Sequence, residues 1–144
     1  MKISTKGKYG IKAMLDLALQ YGEGSTPLKD ISERQGISEP YLEQIISAFK
    51  KSGLVSSIRG VQGGYQLARL PNEVSIAEII TVLEGPLLPF DGAQNIATAE
   101  DTVLEAIWDR TRETVHTLLN NITLADLVGD VRNVRDKNSP MYYI

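Results

Sequence analysis

The feature that most constrains the fold is a pair of short helical patterns separated by a single glycine. Thr26, as a cap, and Pro27, at the first helical position, predict a helix over residues 28–35. Gly36 can adopt the left-handed conformation that ends such a helix. Ser38 then caps a second helix, which we predict to run to about residue 51. Two helices joined by so short a turn cross steeply, as in a helix-turn-helix.

The segments on either side of this pair complete a larger motif. Before it, the apolar spacing predicts a helix over residues 5–21. After it, residues 54–58 and 65–68 have the pattern of short strands around a glycine-rich turn. Phosphate-binding loops lead from a strand into a helix, so this turn between two strands argues against nucleotide binding. Three helices followed by a hairpin predict a winged helix-turn-helix. The residues predicted to form the solvent-exposed stripe of the first helix are Lys8, Lys12, Asp16 and Gln20.

The second half of the chain is predicted to be helical. Ser75 and Glu78 have the spacing of a capping box and open a helix that ends at Gly85. After a loop, a long helix is predicted over residues 98–121, with a short helix behind it. From Asp130 the residues are polar and predict a loose tail. The fold class is therefore mostly α with a small β-hairpin. Its predicted parts are the winged helix-turn-helix (1–85), a loop (86–97), the long helix with the short closing helix (98–129) and the tail (130–144).

Charge is divided unevenly along the chain. Residues 1–70 contain ten Lys and Arg against six Asp and Glu, a net charge of +4. Residues 71–144 contain five against twelve, a net charge of −7. A basic front half suits a polyanion such as DNA, and an acidic back half indicates a different role.

Composition also argues against several classes of function. The chain has no cysteine, which excludes disulfides and thiolate metal sites. Neither a signal peptide nor a membrane span is expected, and we predict a cytoplasmic protein. The single histidine, His116, is interpreted as a surface residue and not as a ligand. Without a recognisable catalytic set, the sequence predicts neither an enzyme nor a metal site.

The front half carries residues suited to reading DNA. Glu43 and Gln44 lie on the outward face of the second helix of the pair, and such side chains read cytosine and adenine in the major groove. Arg59, at the hairpin, suits a narrowed minor groove. Lys6 and Lys8, at the start of the first helix, suit phosphates. The alternative is an ordinary helical hairpin with a solvated face and scattered lysines.

The long helix carries an aliphatic stripe that is broader than one short neighbouring helix could cover. Pairing with the same helix of a second subunit would bury it, so a homodimer is predicted. Packing within the chain is the alternative, and Trp108 is interpreted as a packing residue. The predicted dimer contacts are Val103, Ile107, Thr111, Val115, Leu118 and Ile122.

Several motifs spread along the chain together resemble one known family. They are residues 4–10 (STKGKYG), 41–44 (YLEQ), 53–55 (GLV), 59–60 (RG), 63–65 (GGY), 83–85 (LEG), 123–124 (TL) and Trp108. In these the chain resembles the Rrf-two (Rrf2) family of bacterial transcription regulators. The resemblance implies a winged helix with a long dimerisation helix, partly palindromic double-stranded DNA sites, and base contacts from Tyr41. The predicted DNA-contacting residues are Lys6, Lys8, Ser38, Tyr41, Glu43, Gln44, Ser47 and Arg59.

Two departures from the family pattern matter. Many members bind an iron–sulfur cluster through three cysteines that follow the LEG motif, and residues 86–105 have none. No cofactor is therefore expected. In addition, Pro40 stands at a position that is often polar in the family, so the family's operator sequence does not carry over.

The cysteine-free pattern resembles the CymR subgroup, which represses genes of cysteine and sulfur metabolism. The resemblance implies a signal received through cysteine synthase, with the chain end as the binding segment. A free carboxylate beside an aliphatic side chain suits capture in a closed pocket. The residues of this predicted partner-binding end are Met141, Tyr142, Tyr143 and Ile144. Two alternatives remain: a regulator that senses a small molecule near the 87–97 loop, and a protein-interaction module that has lost DNA binding.

Overall fold

A computed structural model describes residues 3–86 and 97–138. The predicted order of three helices, a hairpin and further helices is confirmed. A single 3₁₀ turn, Pro71–Glu73, precedes the fourth α-helix within the described residues. The elements are α1 (Thr5–Leu19), α2 (Leu28–Gln35), α3 (Glu39–Lys51), β1 (Val55–Ile58), β2 (Gly64–Leu67), α4 (Ile76–Glu84), α5 (Ala99–Asn120) and α6 (Leu124–Asn138).

Helix α1 lies at the centre of the core and packs against α2, α3, α4 and α6. Its buried face includes Met14 and Leu17, which join one apolar cluster with residues from the surrounding helices. Gly10 allows α1 to approach α4 closely, because a Cβ there would come within 2.1 Å of the Leu83 side chain. Burial of this face provides the main stabilisation of the helical front half.

The hairpin is joined to the loop between α1 and α2. Strands β1 and β2 are antiparallel, with Val55 opposite Leu67. Thr26 and Tyr65 exchange two main-chain hydrogen bonds of 2.8 Å, so the loop adds a bridge to the free edge of β2. Gly64 is required beside this bridge, since a Cβ there would lie 2.3 Å from the Thr26 carbonyl oxygen. The wing is therefore braced at its base.

The junction between α5 and α6 is attached to the start of α4 by main-chain hydrogen bonds. The Ile76 N–H donates to the Ile122 carbonyl and the Leu124 N–H donates to the Val74 carbonyl, both over 2.9 Å. These bonds pair Ser75 with Thr123 in an isolated antiparallel bridge. One end of the long helix is thereby fixed to the front half of the molecule.

The structure corrects the prediction of a short closing helix and a loose tail from Asp130, because α6 continues to Asn138. Leu124, Leu127, Val128 and Val131 follow helical spacing, and Leu124 and Val128 are buried in the core. The predicted partner-binding residues and most of the predicted 86–97 loop lie outside the described residues. Within the two described ranges, no helix combines the length and apolar character needed to cross a membrane.

Candidate nucleic-acid interface

The helix-turn-helix is fastened to α1 by a buried carboxylate. Asp16 is only 2% exposed, and its two oxygens accept hydrogen bonds of 2.9 Å from Nε and Nη2 of Arg34. The Gln35 amide donates a third bond of 2.8 Å. The hydrogen bond to Asp16 raises the pKa of the Arg34 guanidinium above its ordinary value. The prediction that Asp16 belongs to an exposed stripe is therefore wrong.

Lys12 makes a second link between α1 and α2. Its ammonium group donates to the Gln35 carbonyl over 3.0 Å and lies 5.8 Å from the centre of the Tyr9 ring. The carbonyls at the end of a helix carry partial negative charge, so a lysine there is favourable. Lys12 thus helps to hold the last turn of α2 against α1.

The turn between α2 and α3 forms as the sequence predicts. Gly36 adopts the left-handed conformation at φ 66°, and the Ser32 hydroxyl donates to the Ile37 carbonyl. Ser38 occupies the predicted N-cap position, but its side chain makes no capping hydrogen bond. The cap of α2 differs from the prediction: Pro27 holds the N-cap position, and Thr26 is buried in its bridge to β2.

Helix α3 separates an apolar face from a polar face. Leu42, Ile45, Ile46 and Phe49 are buried. The predicted base-reading residues Glu43 and Gln44 are exposed, as are Ser38 and Ser47. This division leaves the polar side chains free to reach a major groove while the helix stays anchored in the core.

Tyr41 is less exposed than the other predicted DNA-contacting residues of α3. It is half-buried, and its ring packs edge-on against Tyr9 of α1 with ring centres 5.8 Å apart. The pair brings the start of α3 next to the start of α1, where Lys8 is exposed and Lys6 is half-buried. The base-reading and phosphate-binding candidates on these two helices are therefore neighbours.

The start of α1 is itself held in place by Glu84, the last residue of α4. The Ser4 N–H donates to the Glu84 carboxylate over 2.8 Å, and the Ser4 hydroxyl makes a second bond to the same oxygen. The Ser4 oxygen also accepts from the Gly7 N–H, which caps α1. A Cβ at Gly7 would lie 2.5 Å from the Glu84 carboxylate, so a larger residue there would displace this carboxylate from its present position.

The wing presents Arg59 immediately after β1, fully within the exposed part of the hairpin. The tip is closed by a hydrogen bond of 2.9 Å from the Gly63 N–H to the Gly60 carbonyl. The Ser25 hydroxyl donates to the Gln62 carbonyl over 2.6 Å. The wing thus has supports at its base and at its tip.

Helix α5 has no buried residue within the described chain. Of the predicted dimer contacts, Val103, Ile107 and Leu118 are 49–62% exposed. The others are Thr111, which is exposed, and Val115 and Ile122, which are half-buried. Two residues that the prediction omitted, Leu104 and Trp108, are each 49% exposed and extend the same apolar surface. We call the surface formed by these eight residues the α5 face.

The family's iron–sulfur cluster does not fit the donor set of this chain. Thiolates are the usual ligands of such clusters, and the chain has no cysteine. Among residues 3–86 and 97–138, no group of three or more His, Asp or Glu side chains could hold a metal ion. His116 is exposed, in agreement with its interpretation as a surface residue.

This chain is similar in sequence and in structure to known proteins. The family model Rrf2, described as an iron-dependent transcriptional regulator, matches residues 3–130. The HTH-type transcriptional regulator CymR of Bacillus subtilis (strain 168) is 41% identical over 144 residues, the whole of both chains. The solved structure of CymR, the global cysteine regulator of B. subtilis, has a TM-score of 0.81 at 42% identity, covering 90% of this chain and 97% of that one. The structure of T. potens IscR has a TM-score of 0.77 at 44% identity, covering 99% and 95%.

Proposed function

Because this chain belongs to the Rrf2 family of winged-helix, DNA-binding transcription regulators, we propose that it is a homodimeric repressor that binds a partly palindromic operator. It is a regulator and not an enzyme, as predicted. The observation that carries the proposal is the polar face of α3, exposed at Glu43 and Gln44 while the helix is anchored in the core. Such a repressor acts in the cytoplasm, because bacterial DNA is located there.

Two kinds of contact are assigned to the DNA surface. Base edges are read by residues of α3 and its cap: Ser38, Tyr41, Glu43, Gln44 and Ser47. Arg59 enters the minor groove, and Lys6 and Lys8 contact phosphates. The two kinds respond differently to substitution. Replacing Glu43 with alanine relaxes specificity at one base pair and costs about 1–3 kcal/mol, whereas Lys8→Ala weakens all sequences alike and reduces the salt slope by about one.

Duplexes selected from a random pool by the protein itself provide the test. Binding of these duplexes and of shuffled copies is measured at several salt concentrations for the wild type and both variants. If the wild type binds selected and shuffled duplexes equally, sequence-specific DNA binding is excluded.

Dimerisation is assigned to the α5 face. No residue of α5 is fully buried within the described chain, and the exposed fractions of Val103, Leu104, Ile107, Trp108 and Leu118 are 49–62%. A second subunit presents the same α5 face, so pairing of the two subunits would bury both faces in one interface. Two recognition helices are then available for two half-sites.

The regulatory role is assigned to cysteine and sulfur metabolism. This rests on the similarity to CymR of B. subtilis, which is the global cysteine regulator of that organism. The proposed partner is cysteine synthase, which would take Met141, Tyr142, Tyr143 and Ile144 in its active site through the terminal carboxylate. The full chain extended by one glycine after Ile144 should lose binding to the enzyme while keeping its operator affinity. Unchanged enzyme binding would show that the free end is not recognised.

A small-molecule regulator is the second candidate. A groove of about 490 Å³ lies between the end of α4 and α5, bordered by Thr81, Pro86, Glu113 and His116. Pro86 directly precedes the 87–97 loop, near which the sequence allows a small-molecule sensing site. This candidate would be favoured if operator binding by the purified protein responded to O-acetylserine, the substrate of cysteine synthase, with that enzyme absent.

A further inference from the structure

The outermost point of the wing is an apolar side chain. Val61 is fully exposed, next to Gly60, whose φ is 114°. It lies two residues after Arg59, which is assigned to the minor groove. An aliphatic side chain at this position gains nothing from the core of its own domain. It becomes useful only when the wing meets another surface.

The tip is built to hold Val61 in one place. The turn that contains Val61 is closed by the hydrogen bond from Gly63 to Gly60. Gly63 packs so tightly that a Cβ there would lie 2.6 Å from the Ile58 carbonyl oxygen. The bond from Ser25 to the Gln62 carbonyl ties the next residue to the α1–α2 loop. Much of the entropy cost of ordering this tip is therefore met in the folded chain, before any ligand binds.

The floor of the minor groove distinguishes base pairs by one group. A·T pairs present only acceptors there, whereas G·C pairs add the donor N2 amino group of guanine. An aliphatic side chain against that amino group removes it from water and offers no acceptor, which is unfavourable. Against an A·T pair the same side chain leaves no donor without a partner.

We propose that Val61 is a specificity-determining residue that selects A·T pairs in the minor groove beside Arg59, by excluding the guanine amino group. This inference rests on the proposed DNA-binding function and adds to it a means of base selection at the wing. The two residues favour the same DNA, because A·T-rich segments have the narrow minor groove that attracts arginine.

The test adds the amino group without changing the major groove. In a duplex selected from a random pool by the wild-type protein, 2,6-diaminopurine replaces adenine at one flanking A·T pair at a time. At the pair that faces the wing, the wild type should bind the modified duplex about fivefold more weakly. The variant Val61→Thr keeps the branched shape but offers a hydroxyl acceptor, so its loss should be less than about twofold.

Gln62→Ala is the matched control. The Ser25 hydroxyl bonds to the main-chain oxygen of Gln62, so removing that side chain leaves the support of the tip in place. This variant should show the full wild-type loss on the modified duplex. The thermal unfolding midpoints of Val61→Thr and Gln62→Ala should equal that of the wild type, because both side chains are exposed.

The outcomes separate the two proposals. If the wild type binds no selected duplex better than a shuffled one, the proposed function itself is wrong. If it binds specifically but Val61→Thr suffers the same loss as the wild type at every flanking pair, only the role of Val61 is overturned. Selected duplexes with no A·T preference in their flanks would also overturn it.

Discussion

Replacing Arg34 with methionine tests how the helix-turn-helix is held on α1. Methionine keeps most of the length of the side chain but removes both hydrogen bonds to the Asp16 carboxylate. Asp16 is only 2% exposed in the wild-type structure, and in the variant the Gln35 amide is the one remaining side-chain donor to it from α2. The substitution therefore leaves a negative charge without its counter-ion beneath the recognition unit.

The size of the effect follows from burial. Breaking a fully buried ion pair costs about 3–5 kcal/mol. The Arg34 side chain is 42% exposed, however, so water screens part of the interaction. Because the Gln35 bond remains as well, we expect the free energy of unfolding to fall by about 2 kcal/mol. With a urea dependence of about 2 kcal/mol per molar, the unfolding midpoint should fall by about 1 M.

A double-mutant cycle on Asp16 and Arg34 isolates the interaction between these two side chains. Asp16→Asn should destabilise the wild type, because its amide group faces the guanidinium, but it should stabilise the Arg34→Met protein by removing the buried charge. Arg69→Met is the control: its ion-pair partner is Glu78, both side chains are 38% exposed, and the loss should be about 1 kcal/mol or less. Equal unfolding midpoints for Arg34→Met and the wild type would refute the argument, as would Asp16→Asn having the same effect in both backgrounds.

Three further predictions concern the dimer, the cap of α5 and iron. Ile107→Glu should turn the dimer into a monomer at micromolar concentration by light scattering, whereas Thr117→Glu, at an exposed residue, should leave it a dimer. A monomeric wild type would contradict the assignment. Thr98 is the N-cap of α5 and forms a capping box with Asp101, whose carboxylate accepts a hydrogen bond from the Thr98 N–H. Hydrogen bonding to Thr98 lowers the pKa of Asp101, so Asp101 stabilises the fold above its unfolded-state pKa of about 3.8, and this contribution is lost as the pH falls through the folded-state pKa. Asp101→Asn should therefore unfold more easily than the wild type near neutral pH, with the difference vanishing in acid; a difference that stays constant with pH would count against this. Protein purified without oxygen should be colourless and lack stoichiometric iron, because no thiolate is present, and cluster-like absorbance with matching iron and sulfide would disprove it.

The winged helix was predictable because its boundaries are local. Gly36 ends α2 where a left-handed residue is needed, and Pro40 enters α3 in its first turn, as a proline can. The glycines of the hairpin likewise reveal a tight turn from neighbouring residues alone. Such signals depend on backbone conformation within a few residues, so they can be recognised without knowledge of the tertiary structure.

What the sequence did not reveal depends on distant partners. Asp16 follows the spacing of an exposed stripe, and only the folded chain brings it to Arg34, 18 residues away. The length of α6 was missed for a different reason: its charged side chains obscured the helical spacing of Val128 and Val131. For the α5 face, the spacing of aliphatic residues identified which side of the helix is apolar but not how wide the apolar surface is. Leu104 and Trp108, which also belong to this surface, were therefore not predicted.

The main-chain bridge between Ser75 and Thr123 has a consequence for how such regulators diverge. Backbone groups make this attachment, so it does not depend on which side chains occupy the four residues that donate or accept. Helix α5 also buries no residue in its own domain. Exposed residues such as Val103, Ile107 and Leu118 are therefore free to change over evolution without disturbing the DNA-reading unit, whereas Leu119 and Ile122 pack against the core. Since the α5 face is the proposed dimer contact, related regulators in one cell can acquire different α5 faces that keep their subunits from mixing, while each retains its own operator.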